Sequence, residues 1–185
     1  MSGVGGNARI VLVSGPPGAG KSTVARQLAE GFELSAHLKV DDLREIAVNG
    51  FEPPGGEWTP GHERQFARAR AAATLMARLH AADGVSLVID DVCVPEHFED
   101  HYADLFADPV VDRVMLKPTR AALEGRIRAR GGSWDELLLS SGALEWCYER
   151  LDRLELDGWT VIDSSDQSAD ETVEQVRQSL MPPPA

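Results

Sequence analysis

Several groups of residues in this sequence have the types and spacing to handle a phosphate ester. The first is Gly15-Pro16-Pro17-Gly18-Ala19-Gly20-Lys21-Ser22-Thr23, which fits G-x-x-x-x-G-K-[ST] from Gly15 to Ser22. Glycines let the backbone wrap until its N–H groups converge on phosphate oxygens, and a helix starting there adds the positive end of its dipole. In such a loop Lys21 reaches the β- and γ-phosphates of ATP or a related triphosphate, and Ser22 offers its hydroxyl to Mg²⁺. Opposite it, Leu87-Val88-Ile89-Asp90 is an apolar run closing on an acid, placed to hold Mg²⁺. Asp91 follows. Neighbours on a strand face opposite ways, so one of the two meets the metal, and Asp90 is the expected one.

Asp41-Asp42 closes another short apolar run. A carboxylate beside the γ-phosphate can accept the proton of an attacking hydroxyl. Either aspartate could equally be the N-cap of the next helix, and spacing alone leaves the two readings even. The remaining charged group is Arg120, Arg126, Arg128 and Arg130, ending in Gly131-Gly132. Arg126 and Arg130 are four apart and share a helix face, whereas Arg128 points elsewhere. A basic cluster in so acidic a chain reads as an arginine-bearing lid that stabilises charge on a transferring group, with a solvated helix face as the alternative.

The elements that must position these residues are legible in outline. Arg9–Ser14 is a β-branched run feeding the glycine loop, and Val24, Leu28 and Phe32 have helical spacing after it. Ala36–Val40, Val85–Asp91, Val110–Leu116 and Trp159–Asp163 read as further strands. Helices are expected over Asp42–Val48, from Thr59 (cap) with Pro60 at its first position to Ala82, over Pro95–Phe106, and over Thr119–Arg130. Ser133-Trp134-Asp135-Glu136 and Ser168-Ala169-Asp170-Glu171 have capping-box spacing, so each opens a helix. Alternating strands and helices imply an α/β three-layer sandwich: about five strands, mostly parallel, helices on both faces, and a lid near 120–145. Ligands in such sheets sit at the carboxyl ends of the strands. Residues 1–8 read as a Gly-rich flexible leader, 9–181 as a single domain, and 182–185 as a tail.

Composition narrows the partners. The chain has 185 residues, 43% hydrophobic and 26% charged, with a formal net charge of −12. That charge argues against long nucleic acids, which a protein of this sign repels. No apolar run is long enough to span a bilayer. Cys93 and Cys147 have neither metal nor disulfide spacing, so a reducing cytoplasm is the expected compartment. His97 and His101 could share a helix face, but beside Glu99 and Asp100 they read as a solvated surface.

Taken together, G-P-P-G-A-G-K-S-T at 15–23, K-V-D-D-L at 39–43, V-I-D-D-V at 88–92 and the arginines of 120–130 resemble the small P-loop kinases. The nearest pattern is that of chloramphenicol phosphotransferase-like proteins; zeta-toxin, gluconate and adenylylsulfate kinases are more distant. The resemblance implies a P-loop NTPase-type fold and an ATP- and Mg²⁺-dependent kinase acting on a hydroxyl of a small molecule. Asp41 matches the family's base, Lys21, Arg126 and Arg130 its charge stabilisers, Arg126 also meeting the nucleotide, and Ser22 with Asp90 its metal holders. Ile162-Asp163-Ser164-Ser165-Asp166 resembles the loop beside adenine, and Phe51 and Trp58 are the expected acceptor wall. Those phosphotransferases usually carry serines where this chain has Pro16-Pro17-Gly18, and residues 49–61 match no known acceptor segment. A kinase is implied; chloramphenicol is not. A nucleotide or polynucleotide 5′-hydroxyl kinase and a partner-dependent nucleotide-binding module are the alternatives.

Overall fold

The computed structural model describes residues 8–53, 58–92, 98–108, 111–153 and 156–180. The expected leader up to Asn7, the tail from Pro182, and Cys93, Pro95 and His97 lie outside them. Five strands form one sheet: β1 (Ile10–Gly15), β2 (Ser35–Lys39), β3 (Ser86–Val92), β4 (Val111–Leu116) and β5 (Thr160–Ile162), in the order β2-β3-β1-β4-β5. Every pairing is parallel. The expected mostly parallel sheet is therefore wholly parallel, which fits strands that read as near-continuous apolar runs buried on both faces.

Alternation along β1 and β3 divides the interior. Ile10, Leu12, Leu87 and Ile89 join one apolar cluster with Ala69, Ala73 and Ala77 of the helix α3 (Pro60–Ala82). Val11, Val13 and Val88 join the other, with Val24 and Leu28 of α1 (Lys21–Glu30) and Val173 and Val176 of α9 (Ala169–Ser179). The alanines recur every fourth residue, so α3 presents one small-residue stripe and lies close on the sheet. Its start is fixed as expected: the Thr59 hydroxyl accepts from Gly61 and His62 N–H, Pro60 takes the first turn, and His62 Nδ1 accepts from Thr59 N–H at 3.2 Å.

The differences from the sequence reading are local. α2 runs Val40–Glu45, two residues earlier than expected, because β2 ends at Lys39. The expected helix to Phe106 is two short pieces, α4 (Phe98–His101) and α5 (Ala103–Phe106), broken at Tyr102, whose ring is fully buried. After α6 (Arg120–Arg130), α7 (Ser133–Ser140) is capped at Gly132 rather than Ser133: the Asp135 carboxylate accepts from Gly132 N–H at 2.9 Å. α8 (Ala143–Leu151) was not anticipated. Its buried Leu144, Cys147 and Leu151 have helical spacing, but neither Ser140 nor Ser141 ahead of them has Glu or Gln three residues on to mark a capping box. The Ser168 box forms as read, with Glu171 and Ser168 each accepting from the other's N–H.

Candidate functional site

Strand register brings the expected groups together. Asp90 pairs across to Val13 on one side and Lys39 on the other. The phosphate-loop motif therefore begins two residues beyond Val13, and Asp41 lies two residues beyond Lys39. Both flank Asp90 at the carboxyl edge of the sheet. They line a cavity of about 520 Å³ with Lys21, Ser22, Arg126 and Arg130.

The loop has the expected shape. Gly15 sits at φ +149°, where an added Cβ would lie 2.4 Å from the Leu116 carbonyl oxygen, so the backbones of β1 and β4 meet there without room for a side chain. Gly18, at φ +84°, gives the same close approach to Ile127 of α6. Pro17, Gly18, Gly20, Lys21, Ser22 and Thr23 face the cavity. Gly15, Pro16 and Ala19 form the back of the loop, and Lys21 Nζ donates to the Pro16 carbonyl at 3.0 Å. The cradle opens directly into α1, whose cap, Gly20, has no side chain to obstruct an anion.

β3 separates the paired carboxylates. Asp90 lies on the α1 face with Val88; Asp91 lies on the α3 face with Ile89. Burial pushes the Asp90 carboxyl up, but neighbouring His37, the Lys21 ammonium and the Ser22 hydroxyl outweigh it and hold the group below its ordinary value. His37 Nε2 stands 3.8 Å from Asp90 Oδ2, an electrostatic approach rather than a hydrogen bond. A carboxylate and a serine hydroxyl lining one cavity are hard oxygen donors, of the kind that would suit Mg²⁺. Asp91 instead accepts from Arg70 Nε at 2.7 Å and from the Tyr102 hydroxyl at 3.1 Å, sealed from solvent. Arg70 extends the network to the Val92 carbonyl and to His101, which pairs with Glu63 at 2.7 Å. His101 is thus part of a buried brace rather than the solvated face expected for it.

At the β2 end, Asp41 lines the cavity and Asp42 does not. Arg44, one turn on, holds Asp41 Oδ1 through Nη1 at 2.8 Å and also lines the cavity. The sequence reading passed over Arg44. Its signal was the i, i+3 spacing from Asp41 on a short helix, which puts acid and base on one face.

Arg126 and Arg130 of α6 face the cavity as their spacing requires, but each is already engaged. Arg126 donates to the carbonyls of Ser164 and, at 3.4 Å, of Gln167, and reaches the Ala19 carbonyl at 3.5 Å. It ties the 163–167 loop to the phosphate loop. Arg130 grips the Asp135 carboxylate with both Nε and Nη2. That pairing, with the Gly132 N–H, holds the Asp135 carboxyl below its ordinary value. Arg128 turns away to Glu124, as expected. Leu123 and Ile127, fully buried, anchor the middle of α6.

The expected acceptor wall is a correction. Neither Phe51 nor Trp58 contributes to the cavity lining. Trp58 stacks on His62, Phe66 and Trp146, with centroids 5.4, 5.2 and 6.3 Å away. The indole N–H reaches Glu63, so the ring and its polar edge are both engaged by the protein. Cys147, on α8, is buried and its thiol is pushed up to about 11 by that burial, which leaves it without nucleophilic character near neutrality. Among the described residues no cluster of three or more His, Cys, Asp or Glu could hold a metal alone, and no helix is long and apolar enough to cross a membrane.

Comparison with known proteins agrees with this architecture. A guanylate kinase from Hyphomonas neptunium is 29% identical over 153 residues, covering 72% of this chain and 67% of that protein. A sugar kinase structure from Janibacter sp. superposes with a TM-score of 0.67 at 24% identity, over 92% of this chain and 93% of the other. Shikimate kinase from Acinetobacter baumannii, solved with shikimate, gives 0.65 at 19% identity over 92% of each chain. At these identities the two structures establish the fold, a five-stranded parallel sheet of the P-loop kinase type. Residues 10–154 match the model of the AAA_33 family, described as an AAA domain, and with well over half its length matched the chain belongs to that P-loop family.

Proposed function

We propose that this protein is an ATP- and Mg²⁺-dependent kinase that transfers the γ-phosphoryl group to a hydroxyl of a small-molecule acceptor. The observation that carries the reading is the convergence of Lys21, Ser22, Asp90 and Asp41 on one cavity at the carboxyl edge of the sheet. Triphosphate binding needs the first three. An exposed carboxylate across from them, on another strand end, is what an acceptor hydroxyl requires.

In this reading the backbone N–H groups of Gly18, Gly20, Lys21 and Ser22 and the Lys21 ammonium hold the β- and γ-phosphates and offset charge as it develops. Ser22 and Asp90 hold Mg²⁺, which supplies neutralisation of the phosphate oxygens. Asp41 orients the acceptor hydroxyl and takes its proton as the new oxygen–phosphorus bond forms; the bond to the bridging oxygen breaks and ADP leaves. Arg126 shapes the nucleotide side by fixing the 163–167 loop. Arg130 reaches the transferring group only on releasing Asp135, so its part depends on a rearrangement of α7. The small-molecule kinases among the structural neighbours support this class of acceptor.

The test is a phosphoester screen. Purified protein and Mg-ATP would be mixed with pools of antibiotics, sugars, hydroxy acids, nucleosides and a 5′-hydroxyl oligonucleotide, read by ³¹P NMR and mass shift. A new phosphoester that vanishes with Lys21→Ala is the expected outcome. ADP release equal in every pool would overturn the reading.

A further inference from the structure

β2 carries one polar side chain where an apolar one would pack. Leu38 turns to the α3 cluster, so alternation sends His37 to the α1 face, where Val13, Val24 and Val88 pack. In the parallel register His37 lies opposite Val88 and Lys39 opposite Asp90, which puts the imidazole two residues behind Asp90 on the same face of the sheet. The His37 side chain is 11% exposed, and its Nε2 is buried without a hydrogen-bond partner. Asp90 Oδ2 stands 3.8 Å from that nitrogen, about 0.8 Å beyond an ordinary N–H···O contact. A buried donor left unused costs stability that a valine at this position would not, so the donor is expected to find its use in another state of the protein. The Lys21 ammonium also lies near Asp90, but in the kinase reading it is drawn to the β- and γ-phosphates, and the imidazole is the neighbour that stays.

We propose that His37 is a positioning residue for the divalent cation: its Nε2–H donates to Asp90 Oδ2 in the metal-bound protein and so sets how tightly Ser22 and Asp90 hold the ion. The inference rests on the reading that those two residues hold Mg²⁺. His37 stands outside the cavity lining, so it acts through the carboxylate and touches neither nucleotide nor acceptor. A donor on Oδ2 fixes the carboxylate plane and commits that oxygen to the sheet side, leaving the other to the cavity. An unheld carboxylate turns about its Cβ–Cγ bond and must be ordered as the metal binds; one held from behind has already lost that freedom. Partners of this kind change metal affinity by about 10–100-fold in proteins generally. An imidazole suits the task better than a lysine would. Its Nε2–H is a single donor on a stiff ring, the ring is fixed by the pairing of β2 with β3, and it brings no permanent positive charge up to the cation.

The experiment measures the metal's contribution to nucleotide binding by the full chain. Affinity for the β,γ-imido analogue of ATP is read by calorimetry with Mg²⁺ and again with EDTA, and the ratio of the two dissociation constants reports the hold on the ion. His37→Phe keeps a ring and loses the donor, whereas His37→Gln puts an amide donor near the place of Nε2. The expected result is a ratio reduced by about 10-fold or more in His37→Phe and restored to within about threefold of wild type in His37→Gln, with the EDTA affinity unchanged in both. The wild-type ¹⁵N–¹H resonance of His37 Nε2, assigned by its loss in His37→Phe, should shift downfield when Mg²⁺ joins the analogue complex. A His37→Phe ratio equal to that of wild type overturns the proposal and leaves the metal site standing. So does a His37→Gln ratio as low as that of His37→Phe, or an equal loss of affinity in EDTA, since either makes His37 a packing residue. A wild-type ratio of one, the same in Asp90→Asn, sinks the metal-site reading and this inference with it. That outcome is distinct from the others, in which the wild type still responds to Mg²⁺. Should His37→Phe fail to fold, His37→Leu, which also lacks the donor, gives the same comparison.

Discussion

The two sides of β3 at its carboxyl end carry the same residue type and are built on opposite plans. On the α1 side Asp90 faces a cavity, with Lys21, Ser22 and His37 around it. On the α3 side Asp91 is enclosed by Arg70 and Tyr102, with His101 and Glu63 behind. Neighbours so different show that a carboxylate's role here is set by what the facing helix brings. α1 brings N–H groups and an ammonium that can move to a ligand. α3 brings a guanidinium already committed at three nitrogens. The first side is arranged to change partners, the second to keep them.

The largest effect should come from the side that keeps its partners. Asp91→Ala leaves Arg70 charged and unpaired in the core, and is expected to cost about 3–5 kcal/mol, a fall of roughly 10 °C in Tm. A Tm within a degree or two of wild type would erase the contrast. Next comes Asp90→Asn, expected to lower phosphoester formation by about 10²–10³-fold while moving Tm by no more than about 3 °C. A large fall in Tm there would make Asp90 a second structural acid. The contrast sharpens with Arg70→Met, Asp91→Leu and Tyr102→Phe combined. Replacing a whole buried polar group by apolar side chains should bring stability back to within about 2 kcal/mol of wild type, measured by urea unfolding.

The smallest effect is a difference in titration. Asp90 is held below the ordinary 3.8, and Asp91 is raised above it, chiefly by burial and against the pull of Arg70. The consequences for stability have opposite signs. The contribution of Asp90 is fully present above 3.8 and is lost as pH falls through its lower folded value. Ionising Asp91 in the core costs stability, absent below 3.8 and growing until pH passes its raised folded value. Carboxyl ¹³C NMR of the two residues should therefore show two midpoints on either side of 3.8. Midpoints in the reverse order would overturn the assignment of the two faces.

How far the sequence could be read depended on how local each feature was. The phosphate loop, the Thr59 and Ser168 caps and the apolar strands are determined by residues within a few positions, and they stand where the sequence put them. Alternation along β3 was enough to separate Asp90 from Asp91, once Val88 is grouped with the helix that follows the loop. Asp41 over Asp42 was not readable from spacing and came only from the family pattern, because it turns on α2 starting at Val40, a boundary set by where β2 stops pairing with β3. The engagement of Arg130 by Asp135 was hidden by the Ser133 box, which offered a competing cap one residue away. Arg44 was missed for a different reason. Its burial depends on Phe66, distant in sequence, and an arginine beside two aspartates looks from the sequence like any surface charge.

The stack of Trp58 on Trp146 joins the start of α3 to α8, a helix of the segment that follows the arginines. It also gives the protein an optical gauge of its own. Two indoles 6.3 Å apart share their excited states, so any movement of α8 away from α3 changes the near-ultraviolet circular dichroism and the emission of the pair. Trp159, lodged between Phe98 and Phe106 in the core, supplies a steady background. Whether α8 moves when Mg-ATP is added can thus be timed in the unlabelled protein by stopped flow, with the chain as its own chromophore.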